Sequence, residues 1–533
     1  MLKKLRENLN LDKLLALIEP CGEVAAAQKH RRLAIRPTRK QIESQYRRIK
    51  WLRQKASTDT GLTAGLEDLL HHLPLLAVEQ IGASPCLENH EFFEVKSFLW
   101  VYARLRSLVV ALENQPVYDL PDLDRLFKLL DPEGNGLPAF RISPLFSPPL
   151  QKLWDRRSEL GAKLKTERAA TLEKARAELQ MPHLKEEFIL SRNQGEAIDP
   201  IKNSPWFLVS AESLVNVTFR LRDSIKAIRI KTDVNLLNQQ IELAEHKVKT
   251  RLTSEIFKHF AALEKAWHTC EELSWDYTLA RFAERYQCCI PRLAHTPQRI
   301  KISRAVNLPL KLSLESQGRH YQSLDIAFSQ SANLITGPNM GGKSTALITL
   351  GQLCHLAAWG IPLPAESAEL PLFDEVYYNH EGSGQSDNLS SFGKEVVSLV
   401  QFLSRSGTNL ILLDEFARGT NPEEGEKLCL AVLKHLSQSG NTLVAASHFT
   451  APTLLPELVH YSIRGISETQ LKALENRQPG KLEERLKGLA EAMDYSLVKL
   501  RKHQAPPQYA VRIAGILGLP EEIMQFLKGD GNG

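Results

Sequence analysis

The 533-residue sequence contains no apolar run as long as the roughly 18 residues that a membrane-spanning helix needs. Its first residues, MLKKLRENLNLDKLLALIEP, form an amphipathic pattern and lack the continuous apolar core and cleavage site of a signal peptide. Seven cysteines are scattered without a CxxC pair, so neither a zinc site nor a disulfide framework is indicated. These absences argue against a membrane or secreted protein, and we expect a cytoplasmic protein with buried thiols.

Acidic residues are scarce in one segment near the N-terminus. Between Lys29 and Lys55 the sequence has eleven Lys and Arg side chains but one acid, Glu43. Such a segment fits two interpretations, a surface that neutralises nucleic-acid phosphates or a solvated basic face of a helix. Residues 151–260 contain 20 basic and 15 acidic side chains, which is a weak positive charge for a DNA-binding arm.

Glycine and proline are absent from residues 206–290. Apolar residues recur there at helical spacing, which predicts one or two very long helices, typical of a lever, a coiled-coil arm or a bundle core. From about residue 300, short β-like runs alternate with helical stretches, which favours a mostly parallel sheet covered by helices. The predicted strand runs are LPLKLSLE, SLDIAF, ANLIT, NLILLD and TLVAAS.

Residues 337–344 (GPNMGGKS) match the complete G-x-x-x-x-G-K-[ST] motif of the P-loop between an apolar strand-like run and a helix-like run. Glycines let backbone N–H groups approach phosphate oxygens, and the following helix adds the positive end of its dipole. Lys343 would then reach the β- and γ-phosphates of ATP, and the Ser344 hydroxyl would ligate Mg²⁺. The predicted nucleotide-binding residues here are Gly337, Pro338, Asn339, Met340, Gly341, Gly342, Lys343, Ser344 and Thr345.

A second motif, LILLDE, places two carboxylates at the end of an apolar run about 70 residues after the first. Asp414 is predicted to hold Mg²⁺, and Glu415 to orient and deprotonate the attacking water. His448 ends another apolar run, LVAASHF, and is predicted to sense the γ-phosphate. Because parallel strand ends meet at one edge of a sheet, Lys343, Glu415 and His448 are the predicted catalytic residues.

These motifs and their surroundings resemble the MutS family of ATPases. The resemblance includes Asn339 and Met340 inside the first motif and the run LLDEFARGTNPEEG, with Arg418 in it. The run DNLSSFGKE, which ends at Glu395, is similar to the Ser-Thr-Phe signature segment of the family. Residues 509–520 (YAVRIAGILGLP) resemble its closing helical segment.

The resemblance implies an ABC-type arrangement in which the signature segment of one subunit faces the P-loop of the other. Ser390 and Ser391 would therefore contact nucleotide in trans, and we expect a homodimer supported by the C-terminal helical segment. The family also places an adenine-stacking aromatic upstream of the P-loop, for which His320 and Tyr321 are the candidates.

The short middle region resembles the MutS paralogues that lack mismatch-recognition domains. About 60 residues precede the apparent core, which leaves little room for recognition and connector domains. The Phe-x-Glu sequences at Phe92 and Phe282 lie in helical stretches, so we interpret both as incidental. Those paralogues usually carry a C-terminal Smr nuclease domain, which we do not expect in this chain.

The predicted fold is multidomain, with an α-helical core and lever of long helices followed by a C-terminal α/β P-loop ATPase domain of the ABC type. The predicted regions are a basic helical N-terminal region (1–60), a helical core (61–150), a shortened clamp or arm (151–215), lever helices returning to the core (216–298), the ATPase domain (299–480) and a C-terminal helical dimerisation segment (481–533).

Two functions fit this reading. In the first, a dimeric, ATP-gated clamp that uses ATP and Mg²⁺ acts on mismatched, branched or damaged DNA in repair or recombination. In the second, the same ATPase remodels or reactivates a protein client, as some MutS-like ATPases without recognition domains are thought to do for aminomutases. Whether ATPase rate and DNA retention respond to duplex or branched DNA at several salt concentrations separates the two.

Overall fold

The computed structural model describes residues 2–58, 60–112, 117–296, 299–338, 341–379, 391–476, 482–501, 509–520 and 522–524. The chain divides into two compact units. Unit 1 comprises Met1–His71 and Glu271–Gly533, and unit 2 comprises His72–Cys270. None of the described helices combines the length and apolar character that crossing a bilayer requires.

Five helices begin unit 1 and pack onto its later residues. They are α1 (Leu2–Asn8), α2 (Leu11–Ala16), α3 (Gly22–Ala34), α4 (Arg39–Thr58) and α5 (Thr60–His71). Leu9 is fully buried, and its carbonyl accepts a 2.8 Å hydrogen bond from Nε2 of Gln352. Nε2 of Gln45 donates to the carbonyl of Gly360 at 2.9 Å. The N-terminal helices are therefore part of the core that carries the later sequence motifs.

Most cationic side chains of the basic segment, Lys29 to Lys55, bond to other groups of unit 1. Seven of its eleven cationic side chains bond to carbonyl or carboxylate groups of the unit; they are Lys29, Arg31, Arg32, Arg36, Arg39, Arg48 and Arg53. The Arg48 and Asp276 side chains, only 12% and 1% exposed, form a buried ion pair. Burial raises the pKa of the Asp276 carboxyl to about 6, although Arg48 acts in the opposite direction. Most of this positive charge therefore joins the N-terminal helices to loops, a strand and a helix of the same unit, a use that neither interpretation of the sequence included.

Unit 2 contains long helices and a small antiparallel sheet. Its elements are α6 (Val78–Ala83), α7 (Asn89–Leu112), α8 (Asp124–Leu129), α9 (Pro148–Glu178), β1 (Glu187–Ser191), α10 (Gly195–Lys202), β2 (Phe207–Glu212), β3 (Asn216–Leu221) and α11 (Ile225–Lys258), and α12 (Phe260–Arg285) begins in it. Helices α9 and α11 pack against each other and begin at capping serines, Ser147 and Ser224, whose hydroxyls accept backbone N–H groups.

The small sheet has the order β1-β3-β2 and buries its own apolar cluster, which includes Leu172, Ile201, Phe207 and Phe219. The prediction of continuous long helices after residue 205 was therefore wrong for the first part of that stretch, which forms the β2–β3 hairpin. It is confirmed for the rest, where α11 has 34 residues and α12 has 26. Absence of Gly and Pro does not separate a helix from a strand, because strands avoid them as well.

The remainder of unit 1 alternates strands and helices. Its elements are β4 (Arg292–Ala294), β5 (Ile300–Ala305), α13 (Leu308–Ser316), β6 (Leu324–Phe328), β7 (Ala332–Thr336), α14 (Lys343–Ala358), β8 (Ser367–Pro371), β9 (Val376–Asn379), α15 (Ser391–Leu403), β10 (Leu410–Asp414), α16 (Pro422–Ser437), β11 (Thr442–Ala446), β12 (Val459–Gly465), α17 (Glu468–Glu475), α18 (Leu482–Ala492), β13 (Asp494–Lys499) and α19 (Ala510–Leu517). Short 3-10 turns lie at Pro144–Phe146, Arg192–Gln194 and Ala451–Leu454.

A six-stranded sheet forms the centre of this part, with the order β13-β12-β7-β11-β10-β9. All neighbouring pairs are parallel except β12 and β13. Along β10, Leu412 lies by Gly351 of α14, whereas Ile411 and Leu413 join the cluster of α15 and α16. Helices therefore cover both faces of the sheet, as predicted, and strands β7, β10 and β11 are buried throughout.

Four of the five predicted strand runs are confirmed, but LPLKLSLE forms the helix α13. Its apolar residues alternate as in a strand, but a local capping arrangement determines the outcome. Oδ1 of Asn307 accepts the N–H of Leu310 at 3.2 Å, and Pro309 lies in the first turn. A second sheet, with the order β4-β8-β5-β6, completes unit 1.

Candidate active site

The predicted functional residues follow three neighbouring strands of the large sheet. Asp414 of β10 is level with Ala446 of β11, and Ala446 is level with Ile335 of β7. The chain therefore leaves β7, β10 and β11 at the same edge of the sheet, where Lys343, Glu415 and His448 begin the segments that follow. This is the arrangement that the strand-end argument predicted.

A glycine-rich turn joins β7 to α14. Gly337 and Gly342 have φ angles of 132° and 84°, which L side chains adopt only with strain. A Cβ on Gly337 would lie 3.0 Å from Cβ of Ile463, so close packing also favours glycine there. Of the predicted binding residues in this turn, Asn339 and Met340 lie outside the described residues.

Lys343 begins α14 and is 4% exposed. Its Nζ donates to the carbonyls of Gly337 and Pro338 at 3.0 and 3.3 Å, which turns the ammonium back onto the glycine-rich turn. Burial lowers the pKa of Lys343, and the nearby carboxylates of Glu415 and Asp414 oppose that effect. The turn therefore holds a buried cation next to two acidic side chains.

Of the other predicted binding residues, Ser344 and Thr345 lie in α14 and Ser391 is the first residue of α15. Ser344 is exposed and Thr345 half-buried in the first turn of α14. Ser391 begins α15, but the position of its side chain and all of Ser390 lie outside the described residues. Ser344 and Thr345 thus follow Lys343 directly along the chain. The predicted contact of Ser390 and Ser391 with the nucleotide of the other subunit stays a prediction.

Asp414 is the last residue of β10. The residue is buried, with 8% of its surface exposed. Its Oδ2 accepts a 3.0 Å hydrogen bond from the hydroxyl of Tyr378 on β9. Burial and then the Asp414 carboxylate raise the pKa of Tyr378, so this hydroxyl remains a donor. Tyr378 therefore fixes one oxygen of Asp414, an orienting contact that the sequence alone did not reveal.

Glu415 lies just beyond the strand in a left-handed turn. Its φ is 50° and that of Ala417 is 65°, and each costs a non-glycine residue about 1 kcal/mol. Its Oε1 lies 3.6 Å from Nζ of Lys343, and its Oε2 lies 2.5 Å from Nη1 of Arg418. Such strained positions are frequent at functional sites.

Two polar residues that the sequence did not assign support this turn. Asn379 ends β9 and bonds to both backbone groups of Asp414. Glu395 of α15 accepts from the Asn379 amide and from the N–H of Ala417. The sequence contained Glu395 only as part of the family resemblance, and nothing near Asn379 matched a motif.

His448 is the third residue that the sequence predicted at this edge of the sheet. It is exposed directly after β11, and its ring packs on Phe449 with 4.3 Å between centroids. Within the described part of the chain, no hydrogen bond or ion pair joins it to Lys343 or Glu415. Its predicted role therefore stays a prediction.

Tyr495 of β13 lies against the glycine-rich turn. A Cβ on Gly342 would lie 3.0 Å from Cδ1 of that ring. Of the two residues that the sequence offered for adenine stacking, His320 is exposed and Tyr321 accepts the N–H of Asn307 at 2.8 Å. No sequence motif includes Tyr495, and the pairing of β13 with β12 brings this residue to the turn.

Comparison with known proteins gives a consistent result. Residues 333–529 match the family described as MutS domain V. The chain is 25% identical over 493 residues to Endonuclease MutS2 of Caldanaerobacter subterraneus, covering 87% of this chain and 58% of the relative. It is 28% identical over 306 residues to Endonuclease MutS2 of Aquifex aeolicus, covering 56% and 36% of the two chains. It is 27% identical over 335 residues to the DNA mismatch repair protein MutS of Treponema denticola, covering 60% and 35%.

The parallel sheet, its helices on both faces and the glycine-rich strand–helix turn define unit 1 as an α/β protein of the class that binds ligands beyond the carboxyl ends of its strands. Within that class, residues 333–529 match MutS domain V, and the relatives to which this chain is similar are named MutS2 and MutS. The chain spans about half the length of the curated relatives it matches, 58% and 48% in two of them.

Proposed function

We propose that unit 1 is a MutS-type P-loop ATPase of the ABC type that binds Mg·ATP at residues 337–345 and hydrolyses it. The observation that carries this proposal is the approach of Lys343 to Glu415, 3.6 Å from Nζ to Oε1, beside the buried carboxylate of Asp414. Phosphoryl transfer requires a cation that contacts the phosphate, a carboxylate that holds the metal ion and a carboxylate that activates water.

The residues present fit a nucleotide with its metal ion. Backbone N–H groups at the start of α14 favour an anion, and Lys343 adds a buried positive charge at the same place. Asp414 and Ser344 offer carboxylate and hydroxyl oxygens, which are the ligands that Mg²⁺ prefers. The bound Mg·ATP would supply the reactive phosphorus and the metal charge.

Each side chain of the site then has its own role in hydrolysis. Lys343 exchanges its contacts with the carbonyls of Gly337 and Pro338 for contacts with phosphate oxygens. This exchange separates the Lys343 ammonium from the carboxylate of Glu415. Glu415 orients a water and accepts its proton, while Arg418 limits the movement of that carboxylate. His448 follows the neighbouring strand and is assigned the contact to the γ-phosphate.

We further infer that two chains work as a dimer on DNA. The names of two relatives support the DNA part of this inference, since one is named a DNA mismatch repair protein and another an endonuclease. In the dimer, Ser390 and Ser391 of one chain would face the nucleotide of the other. The long helices α9 and α11, with the small sheet between them in sequence, would form the arm that holds the DNA.

The experiment measures ATP hydrolysis and DNA retention with duplex and branched DNA over a series of salt concentrations. The proposal predicts Mg²⁺-dependent hydrolysis, stimulation by DNA and retention that falls steeply with salt. Hydrolysis without any DNA response at any salt would contradict the DNA part and favour a protein client. Absence of Mg·ATP binding would contradict the ATPase itself.

A further inference from the structure

Asn379 and Glu395 connect three elements beside the proposed hydrolytic site. Asn379 ends β9, Glu395 lies one turn into α15, and Ala417 lies in the turn after β10. The N–H of Asp414 donates to Oδ1 of Asn379 at 2.6 Å, and Nδ2 of Asn379 donates to the carbonyl of Asp414 at 3.2 Å. The side chain of Asn379 thus continues the β9–β10 pairing beyond the last strand residue.

The carboxylate of Glu395 receives two donors from different elements. Its Oε1 accepts the same Nδ2 of Asn379, and its Oε2 accepts the N–H of Ala417 at 3.1 Å. Charge-assisted hydrogen bonds of this kind are stronger than those between neutral groups. Glu395 therefore ties α15 at once to the end of β9 and to the backbone of the turn.

That turn sets the direction of the Glu415 side chain. Glu415 and Ala417 both have left-handed φ angles, which a free segment of non-glycine residues avoids. The conformation is held on one side by the N–H of Glu415 bonding to the carbonyl of Ala446 at 2.9 Å, and on the other by Glu395. Loss of the Glu395 contact would let the turn relax and move the Glu415 carboxylate.

We propose that Glu395 is a positioning residue that aligns Glu415 for hydrolysis and makes this alignment depend on the placement of α15. Ser391 is the first residue of that helix, and Glu395 follows it by four residues, about one helical turn. A contact made at the start of α15 therefore shifts Glu395, and Glu395 shifts the turn. This inference rests on the proposed ATPase function, and it names the route by which α15 acts on Glu415.

The test compares Glu395→Ala and Glu395→Gln with the wild type in three measurements: kcat for ATP, the Kd for Mg·ATP and the thermal unfolding midpoint. Glu395→Gln keeps an oxygen for the N–H of Ala417 but opposes the Asn379 amide with a second NH₂ group. We expect kcat to fall about tenfold in Glu395→Ala and less in Glu395→Gln, with Kd within about twofold of wild type. Gln401→Ala, an exposed change on the same helix, serves as the matched control and should retain wild-type kcat.

Coupling to Glu415 is tested in a second background. Where Glu415→Gln has already removed the carboxylate, adding Glu395→Ala should change the residual rate by less than about twofold, because the two residues act as one unit. A full tenfold loss in that background, or unchanged kcat in Glu395→Ala, would overturn the inference while leaving the ATPase proposal intact. A wild-type chain without ATP hydrolysis would instead contradict the proposed function on which the inference rests.

Discussion

Nζ of Lys343 lies 3.6 Å from Oε1 of Glu415, and both side chains are largely buried, 4% and 16% exposed. The two residues are 72 positions apart in the sequence, and the parallel pairing of β7, β11 and β10 brings them together. A buried lysine bonded to carbonyls and facing a carboxylate is suited to exchange these partners for phosphate oxygens.

Lys343→Ala is expected to weaken Mg·ATP binding by at least about tenfold, because the charge-assisted contact to the phosphates is lost. Equilibrium binding of a fluorescent ATP analogue measures the change. Lys434→Ala, at an exposed lysine in the last turn of α16, is the matched control and should bind as the wild type does. Equal affinity of the wild type and Lys343→Ala would exclude Lys343 from the nucleotide site.

Gly425→Ala is expected to destabilise unit 1 and to lower ATP turnover. The added Cβ would lie 2.6 Å from the carbonyl oxygen of Ala417, and this oxygen belongs to the backbone of the turn that follows Glu415. We expect a loss of about 1–3 kcal/mol in the free energy of unfolding, measured by urea denaturation.

The matched control for Gly425→Ala is Gly161→Ala in α9. A Cβ there meets nothing within 4 Å, and the position is exposed inside a helix. That change should stabilise the protein by about 1 kcal/mol, since alanine favours helix more than glycine does. Destabilisation by both changes to the same extent would show that contact with the turn is not the cause.

His355 should make stability depend on pH in the acidic range. Burial lowers the pKa of its imidazole to about 4, below the ordinary value of 6.5. The unfolded chain therefore binds the proton first, so stability falls as the pH drops from 6.5 towards 4. At pH 5 this residue lowers the free energy of unfolding by about 2 kcal/mol relative to neutral pH.

His355→Gln should flatten this dependence in denaturation curves recorded between pH 7.5 and 5. His435→Gln, at an exposed histidine of α16, provides the control and should leave the slope of the wild type unchanged. An unchanged slope in His355→Gln would show that this imidazole does not govern the acid response.

Two arginines of the basic segment should differ in their contribution to stability. Arg48→Met leaves the carboxylate of Asp276, 1% exposed, without its buried partner, and should cost about 3 kcal/mol of unfolding free energy. Arg31→Met removes a pair to Glu271 in which the arginine is 60% exposed, so water can replace part of the lost contact, and the loss should be smaller than in Arg48→Met although Glu271 is only 6% exposed. Chemical denaturation of both variants tests the order, and equal losses would contradict it.

The sequence predicted the central strands well, because β7, β10 and β11 are short, mostly apolar runs of the kind that favours a buried parallel sheet. It failed at LPLKLSLE, where capping by Asn307 outweighed the alternating pattern. Lys343, Asp414 and Glu415 were predicted from the sequence because each lies in or directly beside a recognisable run. Asn379, Tyr378 and Tyr495 were not, because their contacts join strands that are distant along the chain, and no local pattern records that relation.

The most direct test of the central claim is ATP turnover and binding in Glu415→Gln. This change keeps the size of the side chain but removes the carboxylate that would take the proton from water. The account predicts Mg·ATP affinity close to wild type together with a kcat lower by at least about 100-fold. Hydrolysis at the wild-type rate in Glu415→Gln would contradict it.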